Sequence, residues 1–140
     1  MKRLLWINAC MRGEGKSRTD VLCREFLSAW KKCNPDGEVV ERDLTKADMP
    51  VLTAQLAEAR DVAVQENQMD SPLLEIAREL AGADCVVIGA PYWDLSFPAE
   101  LKVYLEWASI IKYLSYLLSY SIVIYITCIA ITIYYIYDIN

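Results

Sequence analysis

The chain has 140 residues, with 14 basic and 19 acidic side chains, no histidine and a net charge of −5 at neutral pH. That length is about one domain with an ordinary core, and the acidic balance excludes a nucleic-acid surface, which needs clustered Lys and Arg against a phosphate backbone. The lack of histidine removes Ser-His-Asp triads, HExxH metalloprotease helices and Cys/His zinc fingers together, so the sequence predicts neither a catalytic side chain of those kinds nor a metal site.

Lys2 to Asn8 is a short apolar run with polar ends, the pattern of a central parallel strand covered on both faces. Lys2-Arg3 ahead of Leu4-Leu5-Trp6-Ile7 faintly suggests a secretory signal, but Asn8 breaks the run after four residues, short of the roughly 7–15 that a signal requires. The loop Asn8-Ala9-Cys10-Met11-Arg12-Gly13-Glu14-Gly15-Lys16-Ser17 follows directly. From Ser17 a helix is predicted: Ser17 with Asp20 resembles a capping box, and Leu22, Phe26, Ala29, Trp30 and Cys33 recur at helical spacing as its apolar face. Asn34-Pro35-Asp36-Gly37 stops it.

Glu38 to Leu44 is a shorter second strand whose charged flanks place it at a sheet edge. Between Met49 and Gln68 the pattern is polar and Ala-rich, and no packing face can be assigned. Ser71-Pro72 restarts helix, with Leu73, Leu74, Ala77, Leu80 and Ala81 as the stripe and Gly82 near its end. Cys85 to Ala90 is uniformly apolar, a buried parallel strand. Pro91 to Pro98 forms the next loop, and Leu101, Tyr104, Leu105 and Ala108 return to helical spacing. Repeated strand-loop-helix units predict an α/β fold with a doubly wound open parallel sheet, whose ligands sit beyond the carboxyl ends of the strands.

The first loop has the place of a phosphate-binding loop. A Walker A motif is only partly met, since Gly15-Lys16-Ser17 supplies its end while Cys10 stands where its first glycine belongs. The dinucleotide fingerprint fails where Arg18 replaces the third glycine. What remains is a glycine-flexible loop ending in the hydroxyls of Ser17 and Thr19 at a helix N-terminus, which favours a terminal phosphate, with Arg12, Lys16 and Arg18 adding charge. The structural alternative makes Ser17 a simple N-cap and the cations solvated. Tyr92-Trp93, after a proline at the same sheet edge, suits a planar ring such as isoalloxazine; alternatively Trp93 and Phe97 only pin the next helix.

These residues resemble the flavodoxin-like NAD(P)H:quinone oxidoreductases and FMN-dependent NADH-azoreductases. The resemblance runs from about residue 2 to 109 and rests on the first strand with Ser17-Arg18-Thr19, on Arg42-Asp43-Leu44, and most specifically on the block from Ile88-Gly89-Ala90-Pro91-Tyr92-Trp93-Asp94-Leu95 to Tyr104. It implies a flavodoxin-like sheet, FMN (or FAD) as cofactor and NAD(P)H as co-substrate, with hydride passed through the flavin to a quinone or azo acceptor. It also implies a homodimer; the cytoplasmic location is expected from the cysteines and the lack of a secretory signal. Ser17 and Thr19 would hold the FMN phosphate, and Pro91, Tyr92, Trp93, Asp94 and Leu95 would line the ribityl chain and ring; Cys10, Arg12 and Arg18 complete the candidate cofactor-binding set. No catalytic side chain is implied, because the cofactor carries the chemistry.

From Ile110 the sequence departs from that family, and the predicted sheet is truncated after its third strand-helix unit. Residues 1–109 are therefore assigned to an incomplete flavin-binding domain and residues 110–140 to an atypical tail in which Ile and Tyr supply 17 of 31 residues. A stretch of 25 residues without charge separates Lys112 from Asp138, long enough for a transmembrane helix, although Ile and Tyr favour strands. Other readings make residues 121–128 a fourth parallel strand, or the whole tail foreign to the domain. The competing functions are a non-catalytic flavin-binding or electron-transfer module and a degenerate or membrane-tethered fragment. The five cysteines, Cys10, Cys23, Cys33, Cys85 and Cys128, form no CxxC pair; an odd set suits the reducing cytosol, with most of them buried core residues.

Overall fold

β1 (Arg3–Asn8) and β3 (Cys85–Ala90) lie side by side in parallel, each buried from its second residue onward. Two apolar faces per strand are what a central position demands, and both sequences supply them without interruption. A computed structural model of the chain describes residues 1–13, 15–92 and 96–110 in full, and the backbone of residues 121–126 and 131–134. β2 (Glu38–Asp43) flanks β1 at the edge and is mostly exposed, in keeping with its charges. β4 (Ser121–Ile126) pairs parallel with β3, and β5 (Ile131–Tyr134) returns antiparallel, giving the order β2-β1-β3-β4-β5. The parallel open α/β sheet is thus the one expected from the sequence.

The two strands of the tail extend that sheet beyond the third strand-helix unit. Ser121–Ile126 takes the place of the fourth parallel strand, and runs of Ile and Val explain why this stretch pairs as strand. Among the described residues no helix is long and apolar enough to cross a membrane. The rest of the stretch considered for a membrane span lies outside the described residues.

Helices cover the sheet on both sides. On one face Leu4, Trp6 and Val87 pack against Cys23, Phe26, Leu27 and Trp30 of α1 (Arg18–Cys33). On the other, Leu5, Ile7, Val86 and Ile88 meet Leu80 of α3 (Glu75–Ala81) and Leu101, Tyr104 and Ala108 of α4 (Ala99–Ala108). A 3-10 turn at Pro72–Leu74, started by Ser71, leads into α3. The buried face of α1 differs from the predicted stripe: Leu22, Ala29 and Cys33 are exposed, while Thr19, Asp20 and Cys23 are buried. Phe26 and Trp30 are common to both sets, and the helix turns so that Cys23 and Leu27 join them against the sheet in place of Leu22, Ala29 and Cys33.

α2 (Ala54–Gln65) fills part of the stretch that resisted assignment. Only Ala63 of this helix is buried. α2 and the segment before it are tied down by polar links, Trp107 Nε1 to the Pro50 carbonyl at 2.8 Å and Arg60 Nη1 to the Glu106 carbonyl at 2.8 Å. Such links leave no apolar periodicity in the sequence to read.

Candidate functional site

β1 and β3 end together, so the loops that follow them emerge at one edge of the sheet. The joint between them is the Gly89 carbonyl, which accepts the Ala9 N–H at 2.8 Å and the Cys10 thiol at 3.6 Å. Gly89 must lack a side chain here: a Cβ would lie 2.9 Å from Cys23 Sγ and 3.3 Å from Trp6 Nε1. Asn8, the polar end of β1, fixes the loop's departure, since its Oδ1 accepts the Cys10 N–H at 3.0 Å while its Nδ2 donates to Glu41 Oε1 at 2.9 Å.

The loop then turns through two glycines with positive φ, Gly13 at 82° and Gly15 at 72°. These are left-handed conformations that suit glycine, and among the described residues neither position has a neighbouring atom where a Cβ would stand. Toward the described residues the loop is therefore open on that side. Ser17 closes it as the N-cap of α1, its Oγ accepting the Asp20 N–H at 3.4 Å and its hydroxyl lying against the Cys10 sulfur. The first turn of a sixteen-residue helix lacks intrahelical acceptors for its leading N–H groups, and its dipole favours negative charge there.

The sequence-predicted residues separate into layers. Arg12 and Arg18 are exposed, as is Lys16, and surround the opening with positive charge. Ser17 and Thr19 are buried at the base of the loop. Cys10 lies beneath them with its thiol fully covered, its pKa pushed up to about 11 chiefly by burial. At the neighbouring strand Pro91 is buried, and Tyr92 is half-buried with its ring edge-on to Phe97, centroids 5.9 Å apart. Trp93, Asp94 and Leu95 lie outside the described residues.

Sequence reasoning missed four contributors: Asn8, Gly89, Asp20 and Arg24. Asp20, in the first turn of α1, accepts the Gly15 N–H at 3.3 Å and both contacts of Arg24 Nε, at 3.0 and 3.2 Å. The i,i+4 spacing of Asp20 and Arg24 was a visible signal; the bond from the Gly15 amide to Asp20 was not. Beyond the loop, Asp43 at the end of β2 is partly desolvated, which raises its pKa. Hydrogen bonds from Lys46 and Thr45 outweigh that and hold its carboxyl below the usual range.

Fold and loops together define an open, doubly wound α/β protein whose ligand edge is built by the loops after β1 and β3, one suited to an anion and the other bearing an aromatic ring. The chain belongs to the family of the flavodoxin-like fold, whose sequence profile matches residues 2–116. It is 37% identical over 111 residues to an FMN-dependent NADH:quinone oxidoreductase of Clostridium beijerinckii, covering 79% of this chain and 56% of that protein. The same kind of protein from Clostridium perfringens is 36% identical over 110 residues, with the same coverage of each. Among solved structures, an azoreductase of Bacillus anthracis superposes with a TM-score of 0.69 at 26% identity, covering 78% of this chain and 56% of that one. The chain spans about half the length of the curated relatives it matches.

Proposed function

We propose that the chain binds FMN at the edge formed by the loops after β1 and β3 and acts in hydride transfer from NADH to a quinone or azo acceptor. The observation that carries this reading is the convergence of an anion-suited loop and an aromatic loop on one carbonyl, that of Gly89. The names of the relatives at 36 and 37% identity supply the cofactor and the co-substrate.

The residues present fit the group. The first turn of α1, the Ser17 and Thr19 hydroxyls and the open side of Gly13 and Gly15 suit a phosphate monoester. Arg12, Lys16 and Arg18 add screening charge at the rim. Pro91 and Tyr92 would bound the ring and its ribityl chain, with Trp93, Asp94 and Leu95 proposed to continue that wall. Cys10 supports the loop from below rather than facing the ligand, because its thiol is engaged with Gly89 and Ser17. Bound FMN supplies the hydride chemistry, and the protein orients it. A homodimer in the cytoplasm belongs to the same reading, and light scattering would register it as twice the chain mass.

The test is an FMN titration followed by quenching of flavin fluorescence, with riboflavin as a ligand that lacks the phosphate. The Ser17→Ala, Thr19→Ala variant is expected to lose at least tenfold in FMN affinity, about 1.4 kcal/mol, and little for riboflavin. Absence of FMN binding by the unmodified chain would defeat the reading. The matched residues cover only about half of each relative, and a second reading is a flavin-binding module without reductase activity. Anaerobic mixing of the FMN-loaded chain with NADH separates the two, since the module would leave the flavin absorbance unbleached.

A further inference from the structure

Among the described residues, Asp20 is the one charged side chain buried in the protein, at 2% exposure. It lies in the first turn of α1, directly beneath the loop assigned above to a phosphate. A carboxylate at that place has a double effect. Its Oδ2 holds the Gly15 N–H and so fixes the curvature of the glycine loop. Its negative charge also opposes any anion drawn to the same helix end.

Arg24, one turn further along α1, resolves that conflict. Its Nε sits 3.0 and 3.2 Å from the two Asp20 oxygens, and its guanidinium lies over the Trp6 ring, 5.2 Å from the centroid. The planar cation is thereby oriented from two sides, by the carboxylate and by an indole anchored in the sheet. Trp6 is buried in β1, so the arrangement ties the loop through Asp20 and Arg24 to an interior strand of the sheet.

We propose that Arg24 is a positioning residue for anion binding: it neutralises Asp20 so that the first turn of α1 accepts a phosphate while Asp20 holds the Gly15 loop in shape. This deepens the flavin reading and rests on it for the identity of the ligand, but the phosphate chemistry can be probed separately.

The first experiment titrates inorganic phosphate into the nitrogen-15-labelled chain and follows the Gly13 and Gly15 amide resonances. Phosphate is expected to shift both in the unmodified protein. Arg24→Gln should weaken that response at least tenfold with the β1 and β3 resonances unmoved, Arg24→Lys should retain it within threefold, and Asp20→Asn with Arg24→Gln should recover it. A second arm needs no ligand: Asp20→Ala should raise hydrogen exchange at Gly15 at least tenfold. No response to phosphate in the unmodified chain, an Arg24→Gln response within twofold of it, no recovery in the double variant, or unchanged Gly15 exchange would each overturn the proposal. Phosphate binding that follows these rules without any FMN binding would leave the proposal standing and remove flavin as the ligand.

Discussion

Gly89 is a single residue on which two loops depend, and its substitution is the sharpest test of the packing beneath them. Alanine there would press on Cys23 Sγ and Trp6 Nε1, an overpacking expected to cost about 1–3 kcal/mol in urea denaturation. The cysteines around it are equally constrained. Burial pushes the Cys10 and Cys23 thiols up to about 11 and about 12, whereas Cys33 is exposed. Iodoacetamide at mild pH should therefore label Cys33 and spare Cys10 and Cys23 until the chain unfolds, as peptide mass mapping would register. In the unfolded chain these thiols ionise near 8.5, so the stability from keeping them neutral is complete below that pH. It is lost as pH rises toward their folded values, and the urea midpoint should fall over that window. Burial of the cysteines, the general expectation for free thiols, holds for Cys10 and Cys23 but not for exposed Cys33 or half-buried Cys85; that Gly89 joins the loops was not readable, because a carbonyl's partners leave no trace in residue type.

At the scale of elements, β1 and β3 were legible because each is an unbroken apolar run bounded by polar or glycine residues, and α1 because Ser17 starts it and Asn34 to Gly37 ends it. The phase of α1 was not, since Leu22 and Cys23 both head plausible stripes and only the sheet chooses between them. α2 was hidden because its apolar anchor is little more than Ala63, packed with Leu74, Ala77 and Ile110, and its other ties are polar. Ser17 is both the cap of α1 and a proposed ligand residue, and two substitutions divide these roles. Ser17→Ala should cost about 0.5–2 kcal/mol of stability through the lost cap. Ser17→Asp keeps a good capping side chain but sets a carboxylate at the anion site, so thermal unfolding should change little while FMN affinity falls steeply. Equal loss of stability in both variants would argue that the cap geometry, at 3.4 Å, tolerates only the hydroxyl.

For the whole molecule, the sequence announced an open sheet and offered residues 121–128 as one option for its fourth strand, but could not choose among the options for the Ile- and Tyr-rich tail, because such residues serve a strand in any register. β4 now covers the inner edge of β3, whose residues are apolar throughout. A chain ending at residue 110 would expose that edge, and light scattering after size exclusion should then find aggregates in place of a single species. β1 begins at Arg3, so the amino end, with Met1 fully open to solvent, lies at the edge of the sheet opposite the two loops. β5, running antiparallel to β4, also heads toward that far edge. Immobilising the protein through an amino-terminal tag would thus orient every molecule the same way on a resin or electrode, with the loops after β1 and β3 facing the solution.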